Sequence, residues 1–214
     1  MTFRCRLAAL ALAGAGTSLA AVDLVERTAY VRLEALPRDF TYEVQSPHGT
    51  LTGDDSYGQH LALALGGRYS FAAAGSRQGA LVGLELAVAQ ATIDPDGGRL
   101  GVEGRVLGGW GVALTRQWTV LGTVRASWML DDIDLAASDD TAAYQARGSG
   151  WAVQPEVTVA WSPGGRWRIG LDVGWRVARN TYHGDDLDID LEESGFVASI
   201  GFEYILSAAP RSLE

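Results

Sequence analysis

The sequence predicts an all-β fold: an eight-stranded antiparallel up-and-down barrel whose outer wall crosses a lipid bilayer, preceded by a cleaved signal peptide. Three observations carry this reading. First, the stretches Trp118–Trp128 and Trp151–Trp161 each open and close on tryptophan, ten steps apart. Ten strand steps cover about 33 Å. A tilt of about 40° reduces that to a height of about 25 Å, the apolar band of a transmembrane barrel between its two aromatic girdles. Ten is even, so both rings of a stretch point to one side of the strand. Second, past residue 38 the chain runs in period-two alternation broken by turn signals. Third, short connections alternate with acidic and mostly longer ones, the pattern of a barrel with tight turns at one end and loops at the other.

The N-terminus comes first in chain order. Arg4 and Arg6 form a positive region, Leu7–Gly16 an apolar one, and Ser18-Leu19-Ala20 a small-x-small cleavage site, so residues 1–20 read as a secretory signal peptide. It is too short to span a membrane as a helix, and no later run of about 18 apolar residues exists. Any membrane-crossing part must then be a closed barrel, because open sheet edges are unsatisfied in lipid. Cleavage leaves 15 Arg against 26 acids, a net charge of −11, and removes Cys5, so no disulfide framework forms. All 17 basic residues of the chain are arginine. This acidic balance excludes nucleic acid as a partner.

Residues 21–37 read as a periplasmic lead-in, residues 38–206 as the barrel and residues 207–214 as a periplasmic tail. The eight alternating runs are roughly 39–51, 57–71, 80–93, 99–113, 117–133, 148–161, 166–179 and 191–205. The short connections are 72–79, 114–117 and 162–166. The acidic ones lie near 52–56, 94–98, 134–147 and 180–190.

Side-chain parity then sorts the strands into two faces. The apolar face collects all seven tryptophans, near strand ends, and predicts an aromatic girdle of Tyr69, Phe71, Trp110, Trp118, Trp128, Trp151, Trp161, Trp167, Trp175, Phe202 and Tyr204. A ligand-binding barrel with an apolar calyx has no reason to place tryptophan at both rims, whereas a lipid interface does. The opposite face carries Arg68, Arg105, Arg125, Arg168 and Arg176 against Glu85, Glu103, Glu156, Asp172 and Glu203. Side chains just fill an eight-stranded lumen, and buried charges must be paired. Arginine suits this because its planar fork binds carboxylates in bidentate fashion. These ten residues are therefore the expected lumen ion-pair network.

Past Trp128 the alternation inverts. Asp132 and Asp134 take outward positions while Ile133 and Leu135 take inward ones. Before the last strand, Asp186, Asp188, Asp190 and Glu192 share the parity of Phe196, and Leu187, Ile189 and Leu191 point the other way. A strand leaving the bilayer exchanges an apolar outside for a charged one. The tryptophans thus mark the height at which the solvent changes.

With its signal peptide, eight alternating strands and aromatic-rich last strand GFVASIGFEYIL, the chain resembles the small eight-stranded outer-membrane β-barrels of Gram-negative bacteria, of the OmpA/OmpX and opacity-protein type. The resemblance implies secretion through the periplasm into the outer membrane, contact with outer-membrane lipid and lipopolysaccharide, and a monomer. It also implies recognition of the last strand by barrel-assembly machinery. That family usually ends on an aromatic, whereas here Tyr204 is followed by ILSAAPRSLE.

Some barrels of this size modify lipid A, so an active site must be sought. His48, His60 and His183 are the only histidines, and none has a visible nucleophile and orienting acid around it. No catalysis and no cofactor are expected. The acidic stretch 184–193 has calcium-type ligands at Asp186, Asp188 and Asp190 but lacks a calcium-loop spacing. A solvated acidic face is the plainer reading; a milder functional version has these outward acids share divalent cations with lipopolysaccharide phosphates. The expected function is structural or surface interaction with a plugged lumen. The other readings are a narrow porin-like channel, a lipid A-modifying enzyme, and a soluble periplasmic lipocalin-like binder.

Overall fold

In the computed structural model the described residues are 22–73, 75–93, 97–135, 144–184 and 187–208. The expected signal peptide lies outside them. Nine strands follow one another: β1 (Val22–Ala35), β2 (Asp39–Ser46), β3 (Gly49–Ala73), β4 (Gln78–Ile93), β5 (Gly97–Ala113), β6 (Trp118–Leu135), β7 (Tyr144–Gly164), β8 (Trp167–His183) and β9 (Asp188–Ala208). Every pairing is antiparallel, and the β1–β9 and β3–β4 pairings close the sheet on itself. The ring has eight positions, because β1 and β2 share one. β1 pairs with the lower parts of β3 and β9, and β2 pairs with their upper parts. Between them Leu36-Pro37-Arg38 breaks the strand. Proline has no N–H for the ladder, and on the β9 side the partners step from Glu193 to Ala198 across the break.

This corrects the expected start of the barrel. The supposed lead-in is the first strand, and the run 39–51 is not one strand but the β2–β3 hairpin, turning at Pro47-His48. The expected connection at 52–56 lies inside β3. At the other end, Ser207 and Ala208 belong to β9 rather than to a tail.

The β3–β4, β5–β6 and β7–β8 connections lie at one end, which we call the turn end. The β4–β5, β6–β7 and β8–β9 connections lie at the other, the loop end, together with the β2–β3 turn. Gly164 and Gly165 adopt φ of 139° and 71°, a conformation that glycine reaches without Cβ strain.

Along the wall the burial alternates residue by residue, as on Trp151–Trp161, where the two ends and every second residue between them are exposed. The exposed set is apolar: Leu61, Leu63 and Leu65 on β3, Leu84, Leu86 and Val88 on β4, and Val153, Val157 and Val159 on β7 among many. All seven tryptophans are exposed on this belt. A soluble monomer rarely shows a contiguous apolar patch beyond a few hundred Å², so this wall is built for lipid. Trp118 and Trp161 are directly paired across β6 and β7, with ring centroids 6.3 Å apart, and ten steps up the same two strands Trp128 faces Trp151. Trp167 packs on Tyr204 at 4.9 Å. Tyr69 and Phe202 are exposed on the same belt, while Phe71 and Tyr204 are half-buried.

Inside, packing is close enough to require glycine. A Cβ on Gly109 would stand 2.1 Å from the Gly122 carbonyl oxygen, which is backbone and has little room to move. We expect Gly109→Ala to destabilise the folded barrel by about 1–3 kcal/mol through overpacking, measured by urea unfolding in micelles.

Candidate functional site: the lumen

The inward-facing side chains form layers along the barrel axis. Nearest the turn end, Arg168 from β8 donates both terminal nitrogens to the two oxygens of Glu26 on β1, each at 3.0 Å. Glu203 on β9 accepts from Arg168 at 3.2 Å and from Arg68 on β3 at 2.6 Å. Arg68 lies over the Tyr30 ring, 5.9 Å from its centroid, and the Tyr30 hydroxyl donates to Glu85 at 2.8 Å. Tyr30 thus joins this layer to the next.

The middle layer is the densest. Arg32 on β1 meets Glu34, Glu85 and Glu156, the last two at 3.3 Å. Arg125 on β6 meets Glu85 at 3.1 Å and also Glu156. Thr123 and Gln154 donate to Glu156 at 3.0 and 3.1 Å. Arg105 on β5 reaches Glu34 and Glu103 at 2.7 Å each. Glu103 in turn accepts from Arg176 on β8 at 2.6 Å. Asp172 lies 3.7 Å from Arg32 and accepts from Thr158 and, at 2.5 Å, from Ser199.

Toward the loop end, Arg99 on β5 bonds Asp131 on β6 at 2.6 Å and Glu193 on β9. The Tyr57 hydroxyl donates to Glu193 at 3.0 Å, and the Tyr182 hydroxyl to Asp131 at 3.3 Å. His60 is buried beside Glu193, its Nδ1 2.7 Å from the Pro37 carbonyl oxygen at the strand break. Above this layer the lumen turns apolar: Phe40, Tyr57, Ile93, Ile133, Tyr182, Ile189 and Leu191 pack together, flanked by Tyr42, Val44 and Tyr144. On the outside at this height sit exposed Asp132, Arg147, Arg179, Asp188 and Glu192. The inside-out pattern of the membrane belt gives way here to the outside-polar pattern of a water-soluble barrel.

All ten lumen residues named from sequence parity are buried, and each has an opposite charge within 4 Å. Glu156 sits with Arg125 and Arg32; Arg168 and Arg176 on β8 pair elsewhere. Sequence parity missed Glu26, Arg32 and Glu34, because β1 was placed outside the barrel. It also missed Arg99, Asp131 and Glu193, which lie where the outer face is already changing character. The signal for β1 was present: Glu26, Thr28, Tyr30, Arg32 and Glu34 alternate with Ala29, Val31, Leu33 and Ala35.

Two cavities among the described lumen residues measure about 30 and 20 Å³, one near the turn end and one beside Arg32 and Arg125, each room for about one water. A larger groove of about 670 Å³ lies on the outer wall near the strand break, lined by Asp39, Thr41, Trp151, Arg179 and Glu192. Of the proposed calcium ligands, Asp188 is bonded by His183 at 2.8 Å and Asp190 by Thr181 at 2.6 Å. Asp186 lies outside the described residues. His48 is exposed on the hairpin turn, its backbone N–H donating to the Ser46 hydroxyl at 3.2 Å.

No protein-family model matches the sequence, and no curated protein is similar to it in sequence. Solved structures are similar in fold. The outer membrane protein OprG from Pseudomonas aeruginosa superposes with a TM-score of 0.54 at 10% identity, over 86% of this chain and 98% of that one. The outer membrane protease OmpT from Escherichia coli aligns at a TM-score of 0.49 and 8% identity over 85% and 97%. The attachment invasion locus protein Ail of Yersinia pestis aligns at 0.37 and 11% over 84% and 99%. The chain has the fold of the outer-membrane β-barrels.

Proposed function

We propose that this barrel resides in a Gram-negative outer membrane as an integral, non-catalytic protein with a structural or surface-interaction role, its lumen sealed by arginine–carboxylate pairs. The observation that carries this is the set of buried ion pairs that crosses the lumen from Glu26 to Glu193, capped by the apolar cluster around Phe40 and Tyr182. Among the described residues, seven buried arginines face nine buried carboxylates in that interior. Each bidentate pair fixes two strands at once, so the network braces the wall as well as filling it. In this reading outer-membrane lipid surrounds the belt and lipopolysaccharide meets the charged collar at the loop end. The assembly machinery reads β9, and the protein is monomeric. Secretion of the full chain, followed by fractionation and electrophoresis with and without boiling, tests this. We expect recovery with outer membranes and a folded band that shifts only on heating. Recovery in the soluble periplasmic fraction would instead support a lipocalin-like binder.

A further inference from the structure

Exposed charge is divided between the two ends of the barrel. The three turn-end connections carry one arginine each, Arg77, Arg116 and Arg166, and no acid, whereas the three loop-end connections carry six aspartates and no arginine. Arg27 on β1 is a fourth exposed arginine at the turn end, and Asp23 is the one exposed acid there among the described residues. The order of strands around the ring sets these four arginines two strands apart: on β1, between β3 and β4, between β5 and β6, and between β7 and β8. They form a collar around the barrel.

The collar sits at the aromatic girdle. Arg27 is paired across the sheet with Tyr69, and its guanidinium carbon lies 5.8 Å from the centre of that exposed ring. Arg166 immediately precedes Trp167, and Arg116 comes two residues before Trp118. Arg77 precedes Gln78, whose side-chain oxygen accepts from the Trp110 indole at 3.4 Å; Arg77 also lines the turn-end cavity. An aromatic girdle lies at headgroup level, so lipid phosphates are within reach of a long arginine side chain.

The ion pairing of the two ends differs as well. At the loop end, exposed Arg147 bonds Asp132 at 2.9 Å, and Arg179 meets Asp190 at 3.4 Å and Glu192 at 3.5 Å. At the turn end, Arg27, Arg77 and Arg166 have no carboxylate within 4 Å among the described residues. Their guanidinium groups match a phosphate, which arginine binds in bidentate fashion, and each basic side chain at the surface adds attraction to an anionic leaflet.

We infer that the turn-end collar of Arg27, Arg77, Arg116 and Arg166 binds the phosphates of anionic phospholipid. The inference rests on the bilayer reading above, with the short turns facing the periplasmic leaflet. The mature chain is expected to carry a net charge of −11. Without a local collar such a chain would repel anionic lipid, so enrichment of that lipid around it is the discriminating result.

The test folds the mature barrel into vesicles of equimolar phosphatidylcholine and phosphatidylglycerol, with one or the other lipid brominated, and reads quenching of tryptophan fluorescence. We expect phosphatidylglycerol to be enriched at the barrel by at least about threefold. Arg27→Gln/Arg116→Gln/Arg166→Gln should remove the enrichment while the heat-shifted band persists. Arg147→Gln/Arg179→Gln, at the loop end, should leave it in place. Should the triple variant fail to fold, salt decides on the wild type: the enrichment should vanish near about 1 M NaCl, where charges are screened beyond about 3 Å. Equal quenching by the two lipids, an enrichment that the triple variant or high salt leaves intact, or its loss in the loop-end variant overturns the inference and leaves the bilayer reading standing. No quenching by either lipid overturns the bilayer reading and the inference with it.

Discussion

Replacing Glu103 with alanine is expected to destabilise the barrel by roughly 3–5 kcal/mol, the range for stranding a buried charge. Glu103 is 1% exposed and holds two guanidinium groups that are themselves fully buried, Arg105 at 2.7 Å and Arg176 at 2.6 Å. Arg105 keeps Glu34 and Glu85 when Glu103 is lost. Arg176 does not: Glu103 is its one carboxylate within 4 Å among the described residues, and its remaining contact there is the Met129 sulfur at 3.0 Å. Urea unfolding in micelles, followed by tryptophan fluorescence, measures the loss. Removing the arginine as well, in Glu103→Leu/Arg176→Leu, should recover most of it, because a buried ion pair exchanged for apolar side chains is close to neutral. Equal destabilisation by the single and double variants would show that Glu103 acts through packing rather than charge.

The second large effect lies on the opposite face. Val157 is 47% exposed, close to midway between Trp151 and Trp161 on β7, and its neighbours across the sheet are Gly122 and Val173. Val157→Arg places a charge near the bilayer midplane and should cost roughly 2–4 kcal/mol of stability in lipid vesicles. Thr158, next along, is buried and donates to Asp172. A fluorescent label at position 157 should be quenched by brominated lipid and one at 158 should not. The reverse pattern would mean that the apolar face is the inside.

The barrel was legible in the sequence because lipid imposes a rule that the residues state repeatedly. Every second residue from Leu61 to Leu65, Val153 to Val159 and Leu171 to Val177 faces hydrocarbon, and tryptophan marks both ends of the wall. The change of solvent above Trp128 was legible for the same reason, as the inversion at Asp132 and Ile133. β1 was overlooked although outward Ala29, Val31, Leu33 and Ala35 alternate with polar inward residues, because the run is short and outward Arg27 interrupts its apolar face. The break at Pro37 then cut the first strand into two segments, and the hairpin at Pro47-His48-Gly49 merged the second with the start of β3. The total of eight came out right with its first member misplaced. The partners within the lumen were beyond sequence parity for another reason. Glu156 and Arg32 are 124 residues apart, and which arginine meets which carboxylate across the barrel depends on stagger between strands.

Single-channel recording in planar bilayers tests the proposed sealing of the lumen most directly. If the ion-pair layers and the apolar cluster above them close the barrel as proposed, the wild type should give no steady conductance. Glu156→Ala should lower stability without opening a defined pore. Steady unitary conductance from the wild type, with Glu156→Ala shifting its cation preference, would contradict the account.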